Sequence, residues 1–172
     1  HLMSFYKQFS QIENSYYDGM IITGAPVEML PFEEVTYWDE ITQICNWARI
    51  HVTSTFYICW GAQAALYHFY GINKHPLDKK LFGIFNHKIN DPSFPLFRGF
   101  DDEFNAPHSR HTTILAKEIN QHPELTILSE SDEAGVYIVS SRGGREFYVT
   151  GHSEYSPYTL HNEYLRDMEK GM

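Results

Sequence analysis

The chain has 172 residues, 42% of them hydrophobic and 16% aromatic, with a formal net charge of −9. That length is enough for one domain with a real core. The acidic balance excludes the broad basic face that nucleic acid requires, while leaving room for a local anion site.

No apolar run approaches the ~20 residues of a membrane-spanning helix. The opening "HLMSFYKQFSQIENSYYDG" lacks the uninterrupted apolar stretch of a signal peptide. It carries a polar-aromatic helical pattern without a leading Met. "YYDGMIITGAP" predicts a strand from Gly19 to Ile22, ending in a turn at Thr23-Gly24-Ala25-Pro26. In "PFEEVTYWDEITQICNWARIH", apolar residues at Val35, Trp38, Ile41, Ile44, Trp47 and Ala48 recur at helical spacing. Cys45 lies on that pattern as a small core residue. "HVTSTFYICW" is a β-branched and aromatic run, a buried strand, and "GAQAALYHFYG" is a helix closed by Gly71.

From Asn73 to Asn105 the pattern weakens into two short strand candidates, "KLFGIFNHKI" and "FPLFRGF". "APHSRHTTI" is polar and reads as loop. "TTILAKEINQHP" predicts a short helix ended by Pro123. "LTILSES", "GVYIVSS" and "EFYVTGH" predict three strands, the last two joined by a turn at Arg142-Gly143-Gly144. "TLHNEYLRDMEK" predicts a closing amphipathic helix. The alternation gives one α/β domain over residues 1–172, with a mostly parallel central sheet and a smaller antiparallel part. The abrupt ends predict a piece of a longer protein. Two cysteines in a chain this size read as reduced thiols in a cytoplasmic protein.

Cys59 falls at the seam between a strand and a helix. In an open α/β sheet, ligands bind beyond the carboxyl ends of the strands. A residue there presents its side chain on a tight turn, as in a nucleophile elbow. The helix N-terminus favours a thiolate, and the Trp60 N–H is free to stabilise an oxyanion. Gly61 and Ala62 are small, as close strand–helix approach requires. The same context also suits a buried structural thiol. A nucleophile needs a base held by a third group, and "YVTGHSEYSPYTL" supplies His152 and Glu154 at another strand end. Two apart in extended chain, both side chains point one way. The carboxylate can then hold one imidazole nitrogen and leave the other for the thiol.

This order of Cys, His and Glu resembles the class I glutamine amidotransferase-like fold, a flavodoxin-like three-layer sandwich. Amidotransferases carry Gly two before and two after the Cys; here Gly61 matches the second and Tyr57 replaces the first. The chain more closely resembles the homoserine O-acyltransferases that open methionine biosynthesis. The matching stretches are "YDGMIITGAPVEML", "YWDEI", "HVTSTFYICWGAQAAL", "YGINK", "RGFDDEFNAPHSRH" and "VTGHSEY". The resemblance covers nearly the whole chain and implies further family segments at both ends.

It implies ping-pong transfer from acetyl-CoA or succinyl-CoA through an acyl-Cys59 to L-homoserine. His152 would be the base and Glu154 its orienter, with no metal or redox cofactor and possible homodimers. It further implies that Arg166 grips the homoserine carboxylate, and that Lys80 and Ser109 bind the amino acid. The loop at residues 24–28 faces the elbow. Pro26 cannot donate, so Ala25, Val27 or Glu28 would complete the oxyanion hole. A Glu at position 28 resembles acetyl-transferring members and a Gly succinyl-transferring ones. A carboxylate there would repel the free carboxylate of succinyl-CoA; turned to solvent, it would say nothing about the donor. A glutaminase-type triad hydrolase and a non-catalytic module are the competing readings.

Overall fold

A computed structural model describes residues 5–169. Parts of the first and last helical patterns fall on residues 1–4 and 170–172, outside that range. Among the described residues one seven-stranded sheet runs in the order β1-β2-β7-β6-β5-β3-β4. The strands are β1 Tyr17–Ile22, β2 Val52–Ile58, β3 His75–Ile89, β4 Glu103–Thr113, β5 Thr126–Ser131, β6 Gly135–Ser141 and β7 Glu146–Val149. Helices α1 Trp38–His51, α2 Trp60–Tyr70, α3 Ala116–Ile119 and α4 Thr159–Glu169 connect or follow them.

The α/β class is as expected, but the sheet is mixed. Only β1, β2 and β7 run parallel. The remaining pairs, β7–β6, β6–β5, β5–β3 and β3–β4, are antiparallel. Chain length between strands explains this. α1 supplies the long crossover that a parallel β1–β2 pair needs. β5, β6 and β7 are joined by three and four residues, which permits only hairpins. Arg142, Gly143 and Gly144 make the last turn with φ of 53°, 65° and 83°.

α1 carries Asp39 and Glu40 in its first turn and Arg49 and His51 in its last, matching the helix dipole. Its Ile41, Ile44 and Cys45 pack with Ala62, Ala65 and Leu66 of α2 over Tyr57, Tyr148 and Val139 of the sheet. Burial pushes the Cys45 thiol up to about 12, as befits a core residue. Tyr57 stacks on Tyr148 with ring centroids 5.1 Å apart. A large aromatic thus fills the space beneath α2. α2 ends as predicted, at Gly71 in the left-handed region.

Phe56, Phe147, Ile138 and Val149 face the other way and pack with Phe94, Phe97 and Phe104. Among the described residues, the layer on this face is this aromatic cluster and not a set of helices. "FPLFRGF", read as a strand, contributes a 3₁₀ turn at Pro95–Phe97, where proline removes a ladder donor.

"APHSRHTTI", read as loop, is the heart of β4. Ala106, His108, Arg110 and Thr112 alternate inward and are buried. Their polarity hides the period-two signal, and hydrogen bonds make the burial tolerable. Arg110, 1% exposed, donates to Thr112 O at 2.6 Å, Ala134 O at 2.5 Å and His108 Nδ1 at 3.3 Å. The Thr112-Thr113 pair of the predicted "TTILAKEINQHP" helix also belongs to this strand, which leaves α3 only one turn long.

Candidate active site

Cys59 alone joins β2 to α2. Its φ of 51° and ψ of −117° are rare for a residue with a side chain, a strain of order ~1–3 kcal/mol that surrounding bonds must hold. The Cys59 N–H donates to Val149 O on β7 at 2.7 Å. Its carbonyl accepts from the N–H groups of Ala62 and Gln63 at 3.0 and 3.2 Å. Gly61 makes the elbow possible: a Cβ there would lie 2.8 Å from Ile22 O and 2.9 Å from Thr23 O. The end of β1 therefore sits directly against the first turn of α2.

β7 ends two residues before Gly151. A Cβ at Gly151 would meet the Tyr137 ring at 2.7 Å, Pro107 O at 2.8 Å and His108 Cε1 at 2.9 Å. Only glycine passes there, and it delivers His152, whose N–H donates to Pro107 O at 2.9 Å. The His152 side chain is 11% exposed, and its Nδ1 lies 2.7 Å from Glu154 Oε1. Burial alone would lower the imidazole pKa. Pairing with Cys59 and Glu154 outweighs it and pushes the pKa up to about 10. Burial would raise the Glu154 pKa, but the hydrogen bond and charge of His152 and a backbone hydrogen bond together hold it below the usual carboxylate range. The His152 ring is thus braced between the Cys59 sulfur and the Glu154 carboxylate.

Cys59, His152 and Glu154 share a cavity of about 590 Å³ with Glu28, Lys80, Ser109 and Arg166. The tertiary structure thus brings these seven candidate side chains to one place. Trp60 does not line the cavity itself; as the first residue of α2, beside Cys59, its N–H has no intrahelical acceptor. The loop from Thr23 to Leu30 forms one wall. The Val27 N–H is spent on Ala25 O at 2.8 Å. Among the described residues, Ala25 and Glu28 keep unassigned N–H groups on this wall.

Glu28 is not turned to solvent. Its Oε2 accepts from the His111 N–H at 3.0 Å and the Thr112 hydroxyl at 3.3 Å, tying the loop to β4. Opposite, Lys80 Nζ donates to Asp167 Oδ2 at 2.5 Å. Arg166 donates twice to Asp167 Oδ1, at 3.1 and 2.9 Å. Two cations thus share one carboxylate at the cavity rim.

Sequence reasoning missed four polar lining residues, His111, Tyr155, Glu163 and Asp167, besides the apolar Met29 and Leu30. The Tyr155 ring stacks on His152 at 4.2 Å and 20°. Glu163 lies three residues before Arg166, hence on the same helix face. That spacing was a usable signal once Arg166 had been chosen.

The homoserine O-succinyltransferase family matches residues 1–172. A homoserine O-acetyltransferase of Parabacteroides distasonis is 63% identical over all 172 residues, which cover 56% of that protein. One from Brevibacillus brevis is 60% identical with the same coverage. The chain therefore spans about half the length of these relatives. Among solved structures, a glutamine amidotransferase from Thermotoga maritima superposes with a TM-score of 0.69 at 14% identity, over 88% of this chain and 64% of that one. One from Methylobacillus flagellatus gives 0.67 at 11% identity, over 92% and 78%. These last two share the fold, with Cys59 at its strand–helix elbow. On the full-length match and the 60–63% identity, the chain belongs to the homoserine O-succinyltransferase family.

Proposed function

We propose that this protein is a homoserine O-acyltransferase working by ping-pong transfer through Cys59. The observation that carries this is the cavity that joins an elbow thiol, a carboxylate-held imidazole and a cationic rim. The Cys59 thiolate attacks the thioester carbonyl of an acyl-CoA. The Trp60 N–H, with a wall N–H from Ala25 or Glu28, receives the oxyanion. Collapse breaks the carbon–sulfur bond to CoA, whose thiolate takes the His152 proton. The homoserine hydroxyl then gives its proton to His152 and attacks the acyl-cysteine, and the thiolate leaves. Glu154 keeps the imidazole in position throughout. Arg166, Lys80 and Ser109 bind the amino acid, with the guanidinium facing its carboxylate.

Acetyl-CoA is the donor we favour. Glu28 places a carboxylate on the acyl side of the cavity, where the distal carboxylate of a succinyl group would meet it. The two relatives described above are homoserine O-acetyltransferases, although the family as a whole carries the name of the succinyl reaction. The two free thiols suit a reducing, cytoplasmic setting, and a homodimer is the assembly that the family resemblance implies.

Intact-mass analysis after mixing with acetyl-CoA tests the reading. An adduct of one acetyl group on Cys59, discharged by homoserine, is expected. Release of glutamate from glutamine instead would favour the amidotransferase reading that the fold permits. Tyr57 beneath the elbow argues against that outcome.

A further inference from the structure

Two fully buried histidines adjoin the segment that carries His152, and the chemistry proposed above uses neither. His87 on β3 and His108 on β4 are both 0% exposed, and their Nε2 atoms are 3.0 Å apart. Arg110 Nε lies 3.3 Å from His108 Nδ1. A guanidinium can only donate, so His108 Nδ1 accepts. The His108 proton therefore sits on Nε2 and is donated to His87 Nε2, which places the His87 proton on Nδ1. Arg110 cannot swing away, because the carbonyls of Thr112 and Ala134 hold its two terminal nitrogens. A proton added to His108 would set a second buried cation against Arg110. Burial and then the Arg110 charge push the His108 pKa down to about 2, and burial pushes that of His87 down to about 4.

Cε1 is the ring carbon between the two nitrogens of His108. With Arg110 held on one side and His87 on the other, the ring cannot turn. Cε1 is the edge it shows to Gly151, where a Cβ would lie only 2.9 Å away. The neighbouring Pro107 carbonyl accepts the His152 N–H at 2.9 Å. The backbone of Gly151 and His152 thus rests on Pro107 and His108. Phe85 and Tyr137 close the ring in, with centroids 5.7 and 5.4 Å from it. The titratable and charged groups around His108 are Arg110, His87, Tyr137 and His152. An apolar side chain could fill this space but could not fix one edge of itself.

Resting on the acyl-transfer reading above, we infer that His108 is a positioning residue for His152, locked as its neutral Nε2–H tautomer between Arg110 and His87. Its fixed edge sets the height of Gly151, and with it the reach of the His152 ring to Cys59 and Glu154. It acts through the backbone and touches no substrate.

Nitrogen NMR of the full-length protein, labelled with ¹⁵N at histidine, reads each ring directly. In wild type, His108 should carry its proton on Nε2 and His87 on Nδ1, with neither ring charging between pH 6 and pH 9. His87→Leu leaves the His108 Nε2–H without an acceptor, and His87→Gln can restore one through its amide oxygen. In His87→Leu the His152 pKa should move about one pH unit towards the ordinary histidine value, as its pairing loosens. Acylation of Cys59 by acetyl-CoA should slow on the order of tenfold. His87→Gln should recover most of both, and His108→Leu should show both effects more strongly.

A wild type whose His108 carries its proton on Nδ1, or charges between pH 6 and pH 9, overturns the inference and needs no variant to fold. So does a His87→Leu or His108→Leu protein in which His152 titrates as in wild type, whatever the fall in activity, since a merely structural role predicts that result. If wild type forms no acyl-Cys59, the acyl-transfer reading fails, and the His152 titration still decides the positioning.

Discussion

Replacing Gly61 by alanine tests whether the contact between β1 and the elbow builds the oxyanion site. The new methyl would stand 2.8 Å from Ile22 O and 2.9 Å from Thr23 O, both backbone atoms that cannot rotate aside. Reaching ordinary contact requires the end of β1 and the first turn of α2 to part by roughly half an ångström. Overpacking of this kind costs about 1–3 kcal/mol. For a chain of this length that is a fall in Tm of roughly 3–10 °C. The larger effect falls on chemistry. Thr23 leads the wall loop, and Trp60 N lies one residue before the inserted methyl. Parting them moves the two N–H groups off a shared oxyanion position, where one lost donor costs about 10²–10³ in rate.

Quenched-flow mass analysis of Cys59 acylation, alongside thermal unfolding, measures both. Gly71→Ala is the control. It is strained at φ +70° but has nothing within 4 Å of the new methyl, so it should lower Tm and spare acylation. Acylation of Gly61→Ala within threefold of wild type would refute the reasoning.

Three further outcomes follow from the site. The pKa of His152 is raised from 6.5 to about 10, so its pairing stabilises the fold fully below pH 6.5 and less as pH climbs towards 10. The difference in unfolding free energy between wild type and His152→Ala should therefore narrow from pH 6 to pH 10; a widening gap contradicts the pairing. On the proposed acyl transfer, Glu28→Gly removes a carboxylate and its bulk from the cavity wall. It should shift the acetyl-to-succinyl ratio of kcat/KM by on the order of a hundredfold towards succinyl-CoA, and Glu28→Gln by less. An unchanged ratio would remove the basis for donor choice. Arg166→Ala should raise KM for homoserine at least tenfold while leaving that for acetyl-CoA nearly constant. Equal effects on both substrates would make Arg166 structural.

Much of the parallel half of this domain could be read directly from the chain. The β-branched run before Cys59, the small residues after it and the glycine at position 71 specify strand, elbow and helix by local rules alone. His152 and Glu154 are two residues apart, so their pairing was a local matter too. β4 was not legible, because its inward residues are His108, Arg110 and Thr112, and polar side chains mimic a loop until their partners are known. Several of those partners lie far off in sequence: His87 on β3, Ala134 in the β5–β6 turn, Gln63 on α2 and Glu28 on the wall loop.

The same holds for the cavity walls. Glu28 takes its meaning from bonds to His111 and Thr112, more than eighty residues away. The sheet is mixed because short links force hairpins, a matter of chain length rather than of strand propensity. Glu163 is an ordinary helix residue in sequence. Its place at the cavity follows only from α4 folding over the rim, where Tyr155 takes one carboxylate oxygen and the other is buried without a donor among the described residues. Local chemistry named the candidate nucleophile, but long-range packing decides which charges surround it, since only packing determines which of them are shielded from water.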